Sequence, residues 1–396
     1  PTRARRMSAE AVQELFAQLE GHINAETHDD VLQVCNAILA ASPGDTDAMH
    51  CKFVCLIELG KMEEALQQLT STPGMAADHT FEHAYCLYQL HREQEALSLL
   101  NSPSTAQEAQ LAAQIKYRIG DYAEAAALFG QAEDMGGASS ELSTNLLAAL
   151  VGAERFSQAL ACAANPPTPD DGSSLQFEFY YNHACAAIGA RKLTDAQQLI
   201  GKALATCRET LSTEDYTEEE IEVELGVLTA QAAYVDQCMG EEEAASKAYD
   251  ALFSFKSELD PAVAAVAANN KVSLRGQRDF FDSWKKCRAN LSDTLGKKLT
   301  PRQRHAFLFN AALLTMHMNK ADDCRQLLSQ LEKAFPSSDA PALIRAALLM
   351  RGKQSKQCEE LLEEAATKAA TPTAALLTLA QLHLQAKDLE KALAAL

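Results

Sequence analysis

The stretch HCKFVCLIELGKMEEALQQL, at residues 50–69, holds two apolar helical faces separated by a break at Gly60. Five residues after that glycine comes a small residue, Ala65. The same frame returns in AAQIKYRIGDYAEAAALF at residues 112–129 and in AAYVDQCMGEEEAASKAY at residues 232–249. A helix, a break and a second helix that recur along one chain indicate a repeat protein, because each helix pair must stack on its neighbours to bury its apolar face.

The same frame can be followed along most of the chain. A small or short apolar residue falls at ten positions, and four of the nine steps between them equal 34 residues, the tetratricopeptide period. These positions are Val31, Ala65, Ala96, Ala125, Ala159, Ala196, Ala245, Cys324, Cys358 and Ala392. A bulky side chain at such a position would push two crossing helices apart. We therefore predict an all-α solenoid of about eleven tetratricopeptide-like helical hairpins.

Two of the steps are much longer than the period. The step from Ala245 to Cys324 is 79 residues, which predicts a degenerate helix pair near Phe281. The step from Ala196 to Ala245 is 49 residues and contains the acidic stretch STEDYTEEE at residues 212–220. An acidic insertion of this kind predicts a solvated loop.

Composition agrees with a helical, protein-binding chain. Hydrophobic residues make up 47% and aromatic residues only 6%, and the formal net charge is −19. Such a charge opposes nucleic-acid binding, which draws on Lys and Arg, and favours a basic or amphipathic protein partner. The eleven cysteines are scattered without a CxxC pair, as in free thiols of a reducing compartment. No run of about eighteen apolar residues occurs, so we expect no membrane insertion.

Turn and linker chemistry divides the chain. Residues 1–6 precede the first methionine and are set apart as an expression remnant or a disordered start. Residues 7–164 are predicted to form the N-terminal repeats with a peptide-binding groove, and residues 165–174, which contain NPPTPDDG, a Pro-rich loop. Residues 175–255 are predicted to form the middle repeats, and residues 256–396 degenerate and regular C-terminal repeats. SPGD at residues 42–45 predicts a turn between hairpins.

Catalytic motifs are lacking. The sequence contains no phosphate-binding loop, HExxH, GxSxG or GxGxxG. His50, Cys51 and Cys55 share a helix face and could suggest a metal site, but short residues that pack between helices explain them better. We expect no enzyme activity, cofactor, metal or small-molecule substrate. A cysteine nucleophile stays open as an alternative, and a labelling survey that finds one hyper-reactive thiol would reveal it.

The predicted binding surface is a groove lined by the first helix of each hairpin. Three asparagines, Asn145, Asn182 and Asn310, recur at one position of these helices and either face the groove or bond to a neighbouring repeat. The aromatic share of this surface is high, as expected of an interface that anchors apolar side chains of a partner. The predicted groove residues are His50, Val54, Ile57, Phe81, Tyr85, Tyr88, Gln114, Tyr117, Arg118, Thr144, Asn145, Ala148, Tyr181, Asn182 and Cys185.

Several segments resemble one known family. They are DTDAMHCKFVCLIELGKMEEAL at residues 45–66, FEHAYCLYQLHREQEAL at 81–97, YYNHACAAIGARKLTDAQQLIGKALATCRETLSTED at 180–215, VAAVAANN at 263–270 and KKLTPRQRHAFLFNAALLTMHMNKADDCRQL at 297–327. In order and spacing they are similar to the N-terminal tetratricopeptide (TPR) region of the 72-kilodalton subunits of the signal recognition particle.

This resemblance implies a scaffold whose concave groove binds a C-terminal segment of the 68-kilodalton subunit. It implies a role in cotranslational protein targeting, with a cytoplasmic location and endoplasmic reticulum association through the ribonucleoprotein particle. In that family the RNA contact is a lysine-rich tail after the repeats, and these 396 residues contain no such stretch. We therefore assign RNA binding to no residue here.

An alternative is a co-chaperone type of adaptor that binds the terminal peptide of another protein. Such grooves place a lysine beside the asparagine to pair with the terminal carboxylate. Here the residue before the recurrent asparagine is Thr144, Tyr181 or Phe309. The absence of lysine at this position disfavours the alternative.

Overall fold

The described part of the chain is helical throughout. In the computed structural model these residues are 9–72, 74, 79–136, 139–166, 176–255, 258–296, 298–368 and 372–396, and every regular element among them is a helix. The chain divides into two compact units, Pro1–Leu175 and Gln176–Leu396. Most of the predicted Pro-rich loop at 165–174 lies outside the described residues. No described helix is both long and apolar enough to cross a membrane.

The first unit contains five helical hairpins. Within each, a first helix is followed by an antiparallel second helix, and the second helix of one hairpin packs on the first helix of the next. The hairpins are α1 (Ala9–Asn24) with α2 (His28–Ala41), α3 (Thr46–Glu58) with α4 (Met62–Ser71), α5 (Thr80–Gln89) with α6 (Glu93–Leu99), α7 (Ala106–Arg118) with α8 (Tyr122–Asp134), and α9 (Ser140–Gly152) with α10 (Phe156–Ala163).

The second unit contains six hairpins and three short additions. The additions are α13 (Glu218–Glu224), α18 (Asp293–Gly296) and a 3₁₀ turn at Phe253–Phe255. The hairpins are α11 (Phe177–Gly189) with α12 (Leu193–Thr213), α14 (Gly226–Met239) with α15 (Glu242–Leu252), α16 (Pro261–Arg275) with α17 (Phe280–Ala289), α19 (Pro301–His317) with α20 (Ala321–Ala334), α21 (Ala340–Arg351) with α22 (Ser355–Lys368), and α23 (Thr373–Gln385) with α24 (Leu389–Ala394). The described residues thus form eleven hairpins, as predicted.

One turn geometry joins the two helices of ten hairpins. In each, a residue with positive φ follows the first helix, and the next residue donates its backbone N–H to a carbonyl five residues earlier, as Lys61 does to Leu56 at 2.8 Å. The glycines that marked the break in the sequence, Gly60, Gly120 and Gly240, occupy this position with φ of 70°, 86° and 89°. This is the helix-ending motif in which a left-handed residue satisfies the last carbonyls.

The close-packed position predicted from the repeat is buried in ten of the eleven described hairpins. All ten predicted residues expose 4% of their surface or less, and Ala65, Ala96 and Ala125 expose none. Each core cluster joins one hairpin to the next: Ala84 on α5, Ala96 on α6 and Ile115 on α7 lie in a single cluster. The apolar stripe of one hairpin is therefore buried by its neighbour, which is the physical reason for the stack.

The degenerate pair is α16 with α17, and its close-packed position differs from the expected one. Phe281 exposes 77% of its surface, whereas Ser283 exposes none. Ser283 makes the first backbone bond of its helix, to the carbonyl of Asp279, as the close-packed residue does in the other hairpins. The turn here is longer, with positive φ at both Gly276 and Asp279, and this moves the register by two residues.

The acidic stretch at residues 212–220 is exposed throughout, as predicted, but only residues 214–217 form a loop, between two helices. The helix α12 continues to Thr213, and α13 begins at Glu218. Thr217 caps α13: its Oγ1 accepts from the backbone N–H of Glu220, and the Glu220 carboxylate accepts from the Thr217 N–H at 2.8 Å. Acidic side chains near a helix N-terminus are stabilised by the helix dipole, and this favours helix over loop.

Candidate partner-binding groove

The predicted groove residues of the first unit lie on four consecutive first helices, α3, α5, α7 and α9. The N-termini of three of these helices are fixed by side-chain caps. Asp45 accepts from the N–H of Ala48 at 2.9 Å, and Thr105 and Ser139 cap α7 and α9 in the same way. Asp45 ends the predicted SPGD turn, in which its N–H donates to Ser42. The caps set the register of each helix and so place its groove positions on one side.

His50 links the second hairpin to the third. Its ring stacks on that of His79, with centroids 4.8 Å apart, and its Nδ1 lies 3.3 Å from Nε2 of His79. His79 precedes α5, contacts the ring of Phe53 and lies 3.7 Å from the carboxylate of Glu82. Sequence reasoning did not single out His79, which directly precedes α5.

Phe81, Tyr85 and Tyr88 form an aromatic row along α5. The rings of Phe81 and Tyr85 stack with centroids 6.4 Å apart. All three side chains are half-buried and pack against the core cluster around Ala84 and Ala96. Each ring therefore has one side in the hairpin core and part of its surface available to a partner.

Arg118 ties α7 to the end of α5. Its guanidinium carbon lies 3.4 Å from the centre of the Tyr88 ring, and its Nη1 donates to the Tyr88 carbonyl at 2.8 Å. Glu93 lies 3.8 Å from the same nitrogen. A cation over an aromatic face and at a helix C-terminus is stabilised twice, by the ring quadrupole and by the helix dipole. Arg118 thus holds Tyr88 in place, although a third of its side chain is still exposed.

Tyr117 extends the aromatic surface towards the fifth hairpin. It is 40% exposed, and its ring meets that of Tyr122 edge to face with centroids 5.1 Å apart. Tyr122 lies against Gly152, where an added Cβ would come within 2.7 Å of the ring. Burial raises the pKa of the Tyr122 hydroxyl. Sequence reasoning overlooked Tyr122, although two tyrosines that flank the turn glycine Gly120 could have indicated the pair.

The remaining predicted residues of this unit are less tightly engaged. Val54 is 37% exposed. Ile57 is half-buried against the cluster of Phe53 and Leu56, and Gln114 and Asn145 are half-buried as well. Contacts between neighbouring hairpins therefore join His50 to His79 and Arg118 to Tyr88, whereas Tyr117 meets Tyr122 within its own hairpin. The apolar residues Val54 and Ile57 lie on α3.

Tyr181 and Asn182 belong to the second unit and are half-buried on α11. Burial raises the pKa of Cys185 on the same helix to about 12, while a hydrogen bond from Tyr181 and the charge of Arg302 oppose the rise. The equivalent asparagine further along, Asn310, donates to Asn269 of the preceding hairpin at 3.1 Å. Of the two roles predicted for these asparagines, Asn310 therefore has the hydrogen bond to a neighbouring repeat.

The cysteines and histidines of the described residues form no metal-binding cluster. All eleven cysteines are free, and the described part of the chain brings together no group of three or more His, Cys, Asp or Glu side chains suited to a metal ion. Cys324 and Cys358 occupy the close-packed position, each with its Sγ directed at a carbonyl twelve residues earlier, at 3.5 and 3.6 Å. Packing accounts for both of them.

Comparison with known proteins supports the repeat. The family model for the TPR-like repeat of the signal recognition particle matches residues 24–150. The signal recognition particle subunit SRP72 of dog (Canis lupus familiaris) and that of human are each 33% identical over 372 residues, which cover 91% of this chain and 54% of the relative. SRP72 of Dictyostelium discoideum is 25% identical over 397 residues, 94% of this chain and 58% of the relative.

These curated relatives are longer than the chain, which spans about half their length. Among solved structures, the crystal structure of yeast Tom70 aligns with 96% of each chain at 13% identity and a TM-score of 0.41, a value too low to support an argument. The sequence matches and the eleven hairpins confirm the predicted resemblance and the all-helical TPR-like architecture. This chain is therefore a relative of SRP72, the 72-kilodalton subunit of the signal recognition particle, over 91% of its length.

Proposed function

We propose that the first unit binds a C-terminal segment of the particle's 68-kilodalton subunit on the groove residues of α3, α5, α7 and α9. The chain then acts as a non-catalytic scaffold in the cytoplasm, joins the endoplasmic reticulum through the particle and contributes to cotranslational targeting. The observation that carries the proposal is a pair of contacts across hairpins, His50 on His79 and Arg118 on Tyr88, with the 40% exposed ring of Tyr117 next to Arg118 in the chain.

Side chains that are ordered before a partner arrives lower the free-energy cost of binding. A partner that docks on rings already held by Arg118 and by the core does not have to restrict their rotamers on binding, a cost of about 0.5–1.5 kcal/mol per ordered side chain. Tyrosine and arginine are also the residue types that dominate binding energy at interfaces. The groove therefore suits an extended or helical segment with a few apolar anchors and a polar remainder.

Titration calorimetry with the C-terminal segment of the 68-kilodalton subunit tests the proposal. The wild-type chain is compared with a Tyr85→Ala, Tyr117→Ala double variant. The matched control is Phe281→Ala, which removes an aromatic ring that is 77% exposed in the second unit. We expect the double variant to bind at least about tenfold more weakly.

Circular dichroism melts establish that each variant is folded, since Tyr85 contributes to a core cluster. If the wild-type chain binds the segment and both variants bind it equally tightly, the binding site lies elsewhere on the chain. If the wild-type chain does not bind the segment, the proposal that the 68-kilodalton subunit is the partner is wrong.

A further inference from the structure

The segment at residues 271–304 has a charge opposite to that of the rest of the chain. It contains ten of the 35 Lys and Arg residues but only three of the 54 Asp and Glu residues, a net charge of +7 in a chain of net charge −19. It spans the end of α16, all of α17 and α18 and the start of α19. A local positive region in an acidic protein creates a potential that attracts anionic groups.

Part of this charge is neutralised within the second unit. Lys271 pairs with Asp250, Arg275 and Lys286 pair with Asp282, and Arg278 lies 3.3 Å from Glu242. Towards the end of the segment, some basic side chains are not paired with acidic ones among the described residues. Lys298 and Arg304 are exposed and form no ion pair with any described residue, and the same is true of Lys333 on α20.

A cavity of about 580 Å³ lies between the connection at residues 290–301 and the hairpin of α19 and α20. Arg304 and Lys333 line it and are exposed, whereas its apolar wall is buried or half-buried. Glu332, next to Lys333, is already paired with Arg345 at 2.7 Å. The apolar wall consists of Leu291, Leu299, Phe307, Leu308 and Phe335. The cavity thus combines an apolar interior with two cations at its exposed side.

The surroundings decide which anion fits. The hairpin before the basic segment carries Glu241, Glu242 and Glu243, and α22 after it carries Glu359, Glu360, Glu363 and Glu364. A nucleic acid longer than the basic region would be repelled by these acidic helices. Its phosphates would also gain no favourable contact with an apolar wall. A short peptide can place one apolar side chain in the cavity and a few carboxylates beside Arg304 and Lys333.

We propose that this cavity binds a short acidic peptide segment of a partner protein, with an apolar anchor residue against Phe307 and Leu308 and flanking carboxylates on Arg304 and Lys333. None of its lining residues is one of the predicted groove residues, and the site lies wholly in the second unit. It is therefore independent of the groove proposed in the first unit.

The test uses fluorescence anisotropy of a labelled peptide, Glu-Asp-Glu-Phe-Leu-Glu-Asp-Glu, added to the whole chain. We expect saturable binding that weakens as sodium chloride rises. The charge-reversal variant Arg304→Glu with Lys333→Glu is expected to weaken binding at least tenfold. The matched control, Lys247→Glu with Lys368→Glu, changes net charge equally at two exposed i,i+4 pairs outside the cavity and is expected to bind normally.

Two probes separate the contributions. Replacing Phe-Leu in the peptide by Ser-Ser is expected to abolish binding if the apolar wall holds the anchor. A labelled twenty-residue oligouridine is expected to bind no tighter than this Ser-Ser peptide. Equal loss in both charge-reversal variants, or stronger binding of the RNA than of the Phe-Leu peptide, would overturn the proposal, as would no peptide binding at all. Neutral substitutions, Arg304→Gln with Lys333→Gln, repeat the test if the reversed charges disturb folding.

Discussion

At the scale of single residues, the least typical hairpin is the one formed by α16 and α17. Of the five buried polar or charged residues in the described chain, Asn269, Lys271 and Ser283 all belong to it. Asn269 accepts a hydrogen bond from Asn310, and Lys271 pairs with Asp250. Ser283 has no partner for its hydroxyl in the structure. The polar groups of the first two are satisfied by neighbouring hairpins, and that of Ser283 is not.

We expect Ser283→Ala to stabilise the chain. Seven of the ten equivalent positions in the other hairpins carry alanine, so the pocket accepts that side chain. A buried hydroxyl without a hydrogen bond costs about 1–3 kcal/mol, and removing it recovers part of that cost. Urea unfolding followed by circular dichroism should show a higher midpoint. A lower midpoint would mean that the hydroxyl has a partner, such as a bound water. Ser273→Ala, at an exposed position on α16, is the control and should change little.

Arginine is used twice in the same way at the ends of first helices. Arg118 donates to the carbonyl of Tyr88, and Arg351 donates to that of Met316 at 2.8 Å. The second Arg351 nitrogen lies 3.1 Å from Nδ1 of His317, whose pKa is lowered by burial and by the arginine charge. A histidine held neutral can accept this hydrogen bond. Both contacts tie one hairpin to the preceding one.

At the scale of elements, the turn within ten of the eleven described hairpins keeps one geometry but not one residue type. Four of the eleven turns use glycine at a position of positive φ, and the others use larger residues such as His91 with φ 57°. For a residue with a Cβ, this conformation costs about 1–2 kcal/mol. Replacing such a turn residue by glycine should therefore stabilise the chain without changing the contacts between helices.

The substitution His91→Gly should stabilise the chain by about 0.5–1 kcal/mol, because glycine removes the left-handed penalty but loses more freedom on folding. His91 is 79% exposed and its contact with Glu93 at 3.7 Å is weak. His91→Ala keeps the penalty and serves as the comparison. Equal stability of the two variants in denaturant unfolding would show that the turn is not strained.

Helix α9 approaches α8 closely at Gly152. An added Cβ there would lie 2.7 Å from two atoms of the Tyr122 ring. We expect Gly152→Ala to destabilise the chain by about 1–2 kcal/mol, because the overlap outweighs the better helix propensity of alanine. Gly130→Ala within α8 meets no atom within 4 Å and should instead stabilise. Thermal melts that shift in opposite directions would bear this out, and a gain at both sites would contradict it.

At the scale of the whole molecule, stability depends on many thiols that are kept protonated. Burial raises the pKa of Cys35 to about 12 and those of Cys86 and Cys287 to about 11, from an ordinary value near 9.0. Above pH 9 the unfolded chain loses these protons and the folded chain keeps them. The unfolded state then binds fewer protons, so the free energy of unfolding falls as pH rises.

We expect the urea midpoint to be steady between pH 7 and 8 and to fall above pH 9. At pH 10 each of these thiols should reduce the free energy of unfolding by about 1.4 kcal/mol. A double variant, Cys324→Ala with Cys358→Ala, removes two thiols whose pKa values are also raised and should show a shallower fall. Equal slopes for this variant and the wild type would show that other groups cause the alkaline loss.

Sequence alone determined the hairpin count, the ten close-packed residues and the family. These features are local or periodic: a small residue is required wherever two helices cross, and its recurrence at 34 residues is visible without coordinates. The acidic stretch at residues 212–220 is exposed as its charge predicts, but charge does not distinguish the loop at 214–217 from the surface helices on either side of it.

Tertiary structure alone decided what depends on contacts between distant residues. Ser283 replaces Phe281 at the close-packed position because the longer turn shifts the register, and no count along the chain shows this. Likewise, His79 meets His50 and Tyr122 meets Gly152 only after neighbouring hairpins stack. Tyr117 meets Tyr122, and Arg304 and Lys333 line one cavity, only after the two helices of a hairpin pack together. A repeat pattern specifies which face of each helix is buried, whereas the angle and spacing between stacked helices determine which side chains meet.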